Sequence, residues 1–433
     1  MEAHDRRQFL QAAALAALAP KARVLGANDR VNVAVIGVGG RGTAHLGYYA
    51  TLDSAHIAAV CDVNQAAQER AVARVEKARG HKPKVYSDMR EVFADKSIDA
   101  VSIATPNHWH ALSTIWACQA GKDVYCEKPA SHNIFEARQM VAAARKYKRM
   151  VQIGSQSRSI AHKQKAMQLL KEGAIGEVYL AKALCFKRRN SIGHKADEPT
   201  PPGLNWDLFL GPAPMRAYNE LRFRYNWHWF WDTGNGDIGN QGVHEMDVAH
   251  WGLGVEGMPN WTVSTGGKMV YDDDQETPNT QLATLDYGKK QIVFEVRGLV
   301  TGPEGGLELR GGNCVGNIFL GSDGHMALDG NGFKLFKGQK GELAMDVKAD
   351  RGETTVHMQN FIDAVKSRDY TKLTAEIAIG ANSAALCHLA NISYRLGRRV
   401  NWDKKTDRFV NDKEADQMIG RKYRAPYVVP EKV

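Results

Sequence analysis

Residues 37–42 read Gly-Val-Gly-Gly-Arg-Gly and follow the apolar, β-branched run 31–36. A G-x-G-x-x-G run between a strand and a helix can hold a pyrophosphate. Gly37 permits the tight turn, Gly39 admits the phosphates to the backbone, and Gly42 lets the helix pack closely. Gly40 and Arg41 belong to the same loop. The helix that follows presents unpaired N–H groups and the positive end of its dipole. Asp62 closes the next apolar run, 56–61, at the spacing where an acid accepts from the adenosine ribose hydroxyls. A carboxylate there repels a 2′-phosphate, so NAD is expected in preference to NADP.

Two more loops could share that chemistry. Thr105-Pro106-Asn107-His108-Trp109-His110 leaves the apolar run 98–104, and Glu127-Lys128-Pro129 leaves the short run 123–126. Segment 65–79, the stretch after His110 up to Ala120, and segment 135–147 are helix-like between these runs, and 150–153 is a further strand. Strands alternating with helices predict a doubly wound parallel sheet. Ligands of such sheets bind beyond the carboxyl ends of the strands. That places Thr105, Asn107, His110, Glu127 and Lys128 with the glycine loop, and all are expected at the cofactor.

Further along, Gly239-Asn240-Gln241-Gly242-Val243-His244-Glu245-Met246-Asp247 brings a histidine between glycines. Histidine can act as a base near neutral pH. Residues 222–231, R-F-R-Y-N-W-H-W-F-W, are rich in aromatics. Aromatic rings stack on the C–H faces of sugars, which would make Trp227 and Trp229 substrate contacts; the same run could equally be core or an oligomer contact. Lys187, Arg188 and Arg189 follow the strand-like segment 177–186. All three could meet acidic or hydroxyl groups of a substrate or face solvent, and Lys187 is the one assigned to the site.

The chain has 433 residues and a formal charge of +9. That length predicts two domains. The organisation expected is an export signal at 1–27, a Rossmann domain at 28–153, a substrate and oligomerisation domain at 154–403 and an extension at 404–433. The basic residues are scattered, without the interleaved stripes of a nucleic-acid reader, so no nucleic acid is expected. None of the six cysteines forms a C-x-x-C pair, so no thiolate zinc site is expected and no metal is assigned. Arg6-Arg7, then Phe9-Leu10 and an Ala/Leu run to Ala19, form an export signal resembling the twin-arginine type. The run is too short to remain as a span, so a periplasmic or otherwise exported protein with no membrane span is expected.

Together, G-V-G-G-R-G at 37–42, A-T-P-N-H-W-H at 104–110, E-K-P at 127–129 and G-N-Q-G-V-H-E-M-D at 239–247 resemble the Gfo/Idh/MocA oxidoreductase family. The resemblance covers about residues 31–400. It implies an α/β protein: an N-terminal Rossmann domain, then an α/β domain with an open, mostly antiparallel sheet. Segments 177–186, 261–268, 280–287, 291–297 and 317–320 are strand-like and fit it. It also implies hydride transfer between NAD and a sugar, polyol or glycoside. Free nicotinamide nucleotide is scarce outside the cytoplasm, so an exported enzyme is expected to hold it tightly, and the exposed face of the open sheet is expected to serve a homo-oligomer. Lys128 would contact the reacting hydroxyl and His244 would take part in proton transfer. The family commonly has an aspartate where Asn240 stands, and an asparagine can orient a hydroxyl but cannot take its proton. Two other activities are compatible: NAD-dependent glycoside cleavage through transient oxidation and elimination, and non-catalytic nucleotide binding.

Overall fold

The computed structural model describes residues 29–349 and 353–433. The export signal expected at residues 1–27 lies outside them. The described chain begins with β1 (Val31–Ile36), α1 (Arg41–Tyr49), β2 (Ala55–Cys61), α2 (Gln65–Arg79), β3 (Lys84–Tyr86), α3 (Met89–Ala94), β4 (Ala100–Ile103), α4 (Asn107–Gln119), β5 (Asp123–Cys126), α5 (Ile134–Lys146) and β6 (Val151–Ile153). The six strands form one parallel sheet in the order β3-β2-β1-β4-β5-β6. Val33, Val35, Val101 and Val124 are fully buried because helices cover both faces of the sheet. The order reverses between β1 and β4. The crevice outside that switch point is where such a sheet receives its ligand.

The helix ends show which backbone groups are already satisfied. Asn64 caps α2 by accepting from the Ala67 N–H, and Gly80 closes it in the left-handed region. By contrast, α1 has no capping side chain and no acid in its first turn.

The second half contains α6 (Ala161–Lys171), β7 (Val178–Phe186), α7 (Trp206–Leu210), α8 (Gly236–Asn240), α9 (Gly242–Leu253), β8 (Trp261–Gly267), β9 (Thr280–Asp286), β10 (Gln291–Arg297), β11 (Cys314–Gly321), β12 (Gly324–Asp329), β13 (Gly332–Lys337) and β14 (Glu342–Lys348). After these come α10 (Glu353–Ser367), α11 (Ile377–Leu396), β15 (Val400–Asp403), β16 (Arg408–Phe409) and α12 (Lys413–Gln417). A ten-stranded sheet runs β14-β13-β12-β11-β7-β10-β9-β8-β15-β16. Only β7 and β10 pair in parallel, so the sheet is mostly antiparallel as expected. It extends beyond the five strand-like segments, adding β12 to β14 on one side and β15 and β16 on the other. Helix α9 lies on β7, burying Val243 and Met246 against Phe294 and Phe319.

The two halves are sewn together late in the chain. Met358, Phe361 and Ile362 of α10 return to the first sheet and share a core with Val31, Val33 and Val35. Along α11, Ile377 and Ala384 join the first core, while Leu386, Cys387 and Ala390 join the second. Residues 404–433, read as an extension, also fold back: Tyr427 and Val429 pack into the first core beside Trp109. All six cysteines are buried free thiols. Among the described residues, no helix is long and apolar enough to cross a membrane.

Candidate functional site

The glycine loop has the geometry its residues require. Gly37 sits at φ 81°, and a Cβ there would lie 2.7 Å from the Ala104 carbonyl oxygen. A Cβ on Gly42 would lie 1.9 Å from the Gly37 oxygen, so α1 approaches the loop only because residue 42 is glycine. Gly39 and Gly40 differ. A Cβ on Gly39 would first meet Asp62 Oδ2 at 3.9 Å, and one on Gly40 would meet nothing within 4 Å. That open space, at an uncapped helix N-terminus, fits the phosphates of a dinucleotide. Asp62 faces the loop: Oδ2 accepts from the Val38 N–H at 2.7 Å and Oδ1 from the Asn64 N–H at 2.9 Å. The buried Thr105 hydroxyl has no hydrogen-bond partner among the described residues. Open cradle, carboxylate and orphaned hydroxyl together fit NAD.

Three residues expected at the cofactor instead brace the loops that surround it. Glu127 is 4% exposed, and its oxygens are already engaged. Oε1 accepts from Arg41 Nε at 2.9 Å, His45 Nε2 at 2.9 Å and Gln156 Nε2 at 3.2 Å, and Oε2 accepts from the Lys128 N–H at 3.2 Å. Burial alone would push this carboxyl up; Arg41 and His45 overcome burial and hold it well below the usual carboxylate range. His110 spans two loops, with Nδ1 2.7 Å from the Pro129 oxygen and Nε2 2.8 Å from the Thr105 oxygen. Buried Asn107 donates from Nδ2 to Asn235 Oδ1 at 2.9 Å and so ties the first sheet's edge to the residue before α8. Arg41 commits only Nε to Glu127, and its side chain remains 40% exposed beside the glycine loop.

Lys128, at the end of β5, reaches across to the second half. Its Nζ donates to the backbone oxygen of Asn240 at 2.7 Å and lies 3.4 Å from Asn240 Oδ1. Burial pushes the ammonium pKa down, and the neighbouring Glu127 only partly offsets this. Asn240 Nδ2 in turn donates to Tyr225 Oη at 2.8 Å and lies 3.4 Å from Asp237 Oδ1. Asp237 is held by Arg189 through Nε at 2.9 Å and Nη2 at 2.7 Å. Asp247 is likewise occupied, by Arg158 and the Ser383 hydroxyl. Neither aspartate is available as a base.

Beside this network opens a cleft of about 390 Å³, lined among others by Lys163, Lys187, Gln241, His244, Glu245 and Arg310. It falls within the size range of small-molecule sites. Lys187 is a cleft residue, donating to Gln241 Oε1 at 3.1 Å. The His244 imidazole makes no hydrogen bond among the described residues. Burial and the nearby Lys128 charge hold its pKa well below the usual value, so the ring is a neutral acceptor. Glu245 is 6% exposed, with the Lys163 charge partly opposing the effect of burial. Its contact is the Gln241 amide at 3.3 Å, and burial raises its pKa to about 7.

The aromatic run does not supply tryptophans to the cleft. Trp229 is 3% exposed, with the Arg189 guanidinium 5.2 Å from its ring. Trp227 stacks on His228 at 3.6 Å and packs against the cluster of Trp206 and Phe209. Both hold the segment in place, and the substrate contact expected of them is corrected. The member of the run that meets the Lys128–Asn240 network is Tyr225, through Asn240 Nδ2. Sequence reasoning passed over Tyr225 and Glu245, and Arg189, considered for substrate, instead pairs with Asp237. The signals were present: an aromatic within the run and an acid next to His244.

The family comparison agrees with this geometry. Residues 31–155 match the oxidoreductase family's NAD-binding Rossmann fold, and residues 182–289 with 321–429 match its C-terminal alpha/beta domain. An uncharacterized oxidoreductase of Streptococcus pneumoniae is 26% identical over 249 residues, covering 55% of this chain and 59% of that protein. A glycosyl hydrolase family 109 protein of a Shewanella species is 30% identical over 154 residues, covering 35% of this chain and 34% of its own. The chain thus spans well under two thirds of these relatives' lengths. Among solved structures, the WlbA dehydrogenase of Bordetella pertussis, in complex with NADH and UDP-GlcNAcA, shares the fold at TM-score 0.64. Its identity is 19%, with 86% of this chain and 99% of that one covered. GenD2 from gentamicin A biosynthesis, in complex with NAD, has TM-score 0.65 and 18% identity, over 89% of this chain and 99% of that one. With both domain models matched in order along its length, the chain belongs to the Gfo/Idh/MocA oxidoreductase family and carries that family's NAD-binding Rossmann domain.

Proposed function

We propose that the protein is an NAD-dependent oxidoreductase acting on a carbinol carbon of a sugar, polyol or glycoside. The observation that carries this reading is the Lys128 ammonium, 2.7 Å from the oxygen of Asn240, the residue before Gln241 of the cleft. NAD, bound along Gly37–Gly42 with its ribose at Asp62, would supply the hydride acceptor. Lys128, with its pKa lowered by burial, takes the hydroxyl proton in its amine form. Asn240 fixes the lysine, and Lys187 and neutral His244 orient the substrate's other oxygens. Glu127, tied to Arg41 and to the Lys128 N–H, couples the phosphate loop to the catalytic lysine. Incubating the purified protein with sugars and polyols and weighing the products tests this. A keto-sugar lighter by two hydrogens is the expected product; unchanged sugars throughout the panel would refute the assignment.

Glu245 favours a second reading. A dehydrogenase needs one proton-handling group at its reacting hydroxyl, yet the cleft adds a neutral imidazole and a carboxyl that titrates near neutrality. Such a pair suits redox-neutral glycoside cleavage. The relatives named family 109 glycosyl hydrolases, and the α-N-acetylgalactosaminidase of Shewanella oneidensis, 30% identical over 165 residues covering 37% of this chain and 35% of that one, point the same way. Sugar release from a glycoside with no net nicotinamide consumption distinguishes this reading from net oxidation.

The same proposal places the protein outside the cytoplasm. Arg6-Arg7 with the Ala/Leu run supports twin-arginine export, a route that carries folded proteins. Free NAD is scarce there, so the cofactor is held tightly. The ten-stranded sheet, with Leu282 47% exposed, is assigned to self-association.

A further inference from the structure

We propose that Tyr225 is the residue that receives the sugar: its ring is the stacking platform and its hydroxyl donates to an oxygen at the reacting carbon. This rests on the oxidoreductase reading above and deepens it.

Hydrogen-bond accounting supplies the first argument. Asn240 Oδ1 faces the Lys128 ammonium at 3.4 Å, so the amide nitrogen is the atom that faces Tyr225. The nitrogen can only donate, so Tyr225 Oη accepts that bond. The phenolic hydrogen remains, and no acceptor takes it among the described residues. It is therefore available to a ligand, one amide away from Lys128.

Exposure supplies the second. Trp229 and Phe230 are buried, Trp227 stacks on His228 and Trp231 lies against the Arg395 guanidinium, whereas Tyr225 is 49% exposed. Its neighbours keep the ring from turning away. The Arg189 guanidinium lies 5.5 Å from the ring centroid, the His228 ring lies 4.6 Å away, and Trp229 meets it edge-on at 6.0 Å. Arg189 is itself fixed by Asp237. A rigid, half-exposed ring with a polar tip matches a pyranose, which offers C–H bonds on one face and hydroxyls at its rim. The ligand class is therefore a ring sugar rather than an open-chain polyol.

The site also answers the substitution at position 240. Asn240 cannot take a proton, but it can aim the Tyr225 hydroxyl and the Lys128 amine at one substrate oxygen. Tyr225 then stabilises the charge that grows there as Lys128 accepts the proton.

The test compares wild type, Tyr225→Phe and Tyr225→Leu as full-length protein. The probes are aldohexoses, N-acetylhexosamines and their methyl glycosides, with myo-inositol and sorbitol alongside. Three quantities are read: nucleotide content, sugar binding by tryptophan fluorescence without turnover, and kcat and KM of hydride transfer. The expected result is equal nucleotide content in all three proteins. Tyr225→Phe loses about tenfold or more in kcat with little change in KM, because it keeps the ring and loses the donor. Tyr225→Leu loses sugar binding as well, and sorbitol is a poor ligand throughout. Wild-type kcat in Tyr225→Phe, or loss of nucleotide in parallel with activity, would overturn the proposal. If wild type transfers hydride with no probe, the oxidoreductase reading falls and takes this assignment with it.

Discussion

Lys128 and Asn240 lie 112 residues apart in the chain, yet the lysine ammonium and the asparagine backbone oxygen are 2.7 Å apart. One residue follows the fifth strand of the parallel sheet, and the other ends the short helix α8. This bond ties the reacting group of one half to the residue before Gln241, which lines the other half's cleft.

Replacing Lys128 with methionine keeps the length of the side chain and removes the proton acceptor. The expected loss in kcat is about 10²- to 10⁴-fold, with bound nucleotide retained. The pH profile carries the sign. Burial lowers the Lys128 pKa, so the amine form becomes populated at a lower pH than for a free lysine. Oxidation by wild type should rise with pH and level off below the ordinary lysine range, while Lys128→Met stays flat. A rising limb that persists in the variant would assign the proton transfer to another group.

Two glycines three positions or fewer apart in the loop should respond differently to alanine. Gly42→Ala forces a Cβ to within 1.9 Å of the Gly37 oxygen, so the loop must shift. The expected cost is about 1–3 kcal/mol of stability along with loss of NAD binding. Gly40→Ala adds a methyl group where nothing lies within 4 Å. It should leave the unfolding midpoint unchanged and weaken NAD by occupying phosphate space. Thermal unfolding with and without NAD separates the two; equal behaviour would contradict the cradle described above.

Asp62 sets the nucleotide preference. Its carboxylate faces the glycine loop and would repel a 2′-phosphate. Asp62→Asn keeps an acceptor for the Val38 N–H but removes the charge. The preference for NAD over NADP should fall by about tenfold or more, equivalent to about 1.4 kcal/mol. Titration of nucleotide-free protein with both cofactors measures it, and an unchanged ratio would place the discrimination elsewhere.

Glu245 makes stability depend on pH. Its folded pKa of about 7 lies above that of an exposed glutamate, so the folded state holds the proton more firmly than the unfolded state. The stability it contributes is present below the unfolded value and is lost as pH rises through the folded one. Glu245→Gln should therefore gain on wild type between about pH 4.5 and 7, by roughly 3 kcal/mol at most. Denaturant midpoints across that range check the prediction; parallel curves for the two proteins would contradict it.

Much of the first half was legible from the sequence because its signals are local. A β-branched run, a glycine fingerprint and an acid downstream lie within some thirty residues, and each has its own physical reason. The second half gave less. Strand β14, E-L-A-M-D-V-K, is an exposed edge whose charges mask its alternation, and β16 is only two residues long. At the site, Lys128, Lys187 and His244 could be named from their context. The bonds of Asn240 to Lys128 and Tyr225, and the pairing of Arg189 with Asp237, depend on tertiary placement that no local pattern encodes. Glu127 and His110 carry a role the motif does not display: burial and their hydrogen bonds make them braces between the loops of the binding motif.

The central claim is that this protein holds NAD and exchanges hydride with a ring sugar through Lys128. Nicotinamide fluorescence of the purified, full-length protein, with no nucleotide added, tests it most directly when pyranoses and their glycosides are titrated in. The expected result is a saturable change with particular sugars in wild type, no such change in Lys128→Met, and equal nucleotide released from both on denaturation. A protein that releases no nucleotide and gives no signal with added NAD, or a Lys128→Met variant that responds as wild type does, would contradict it.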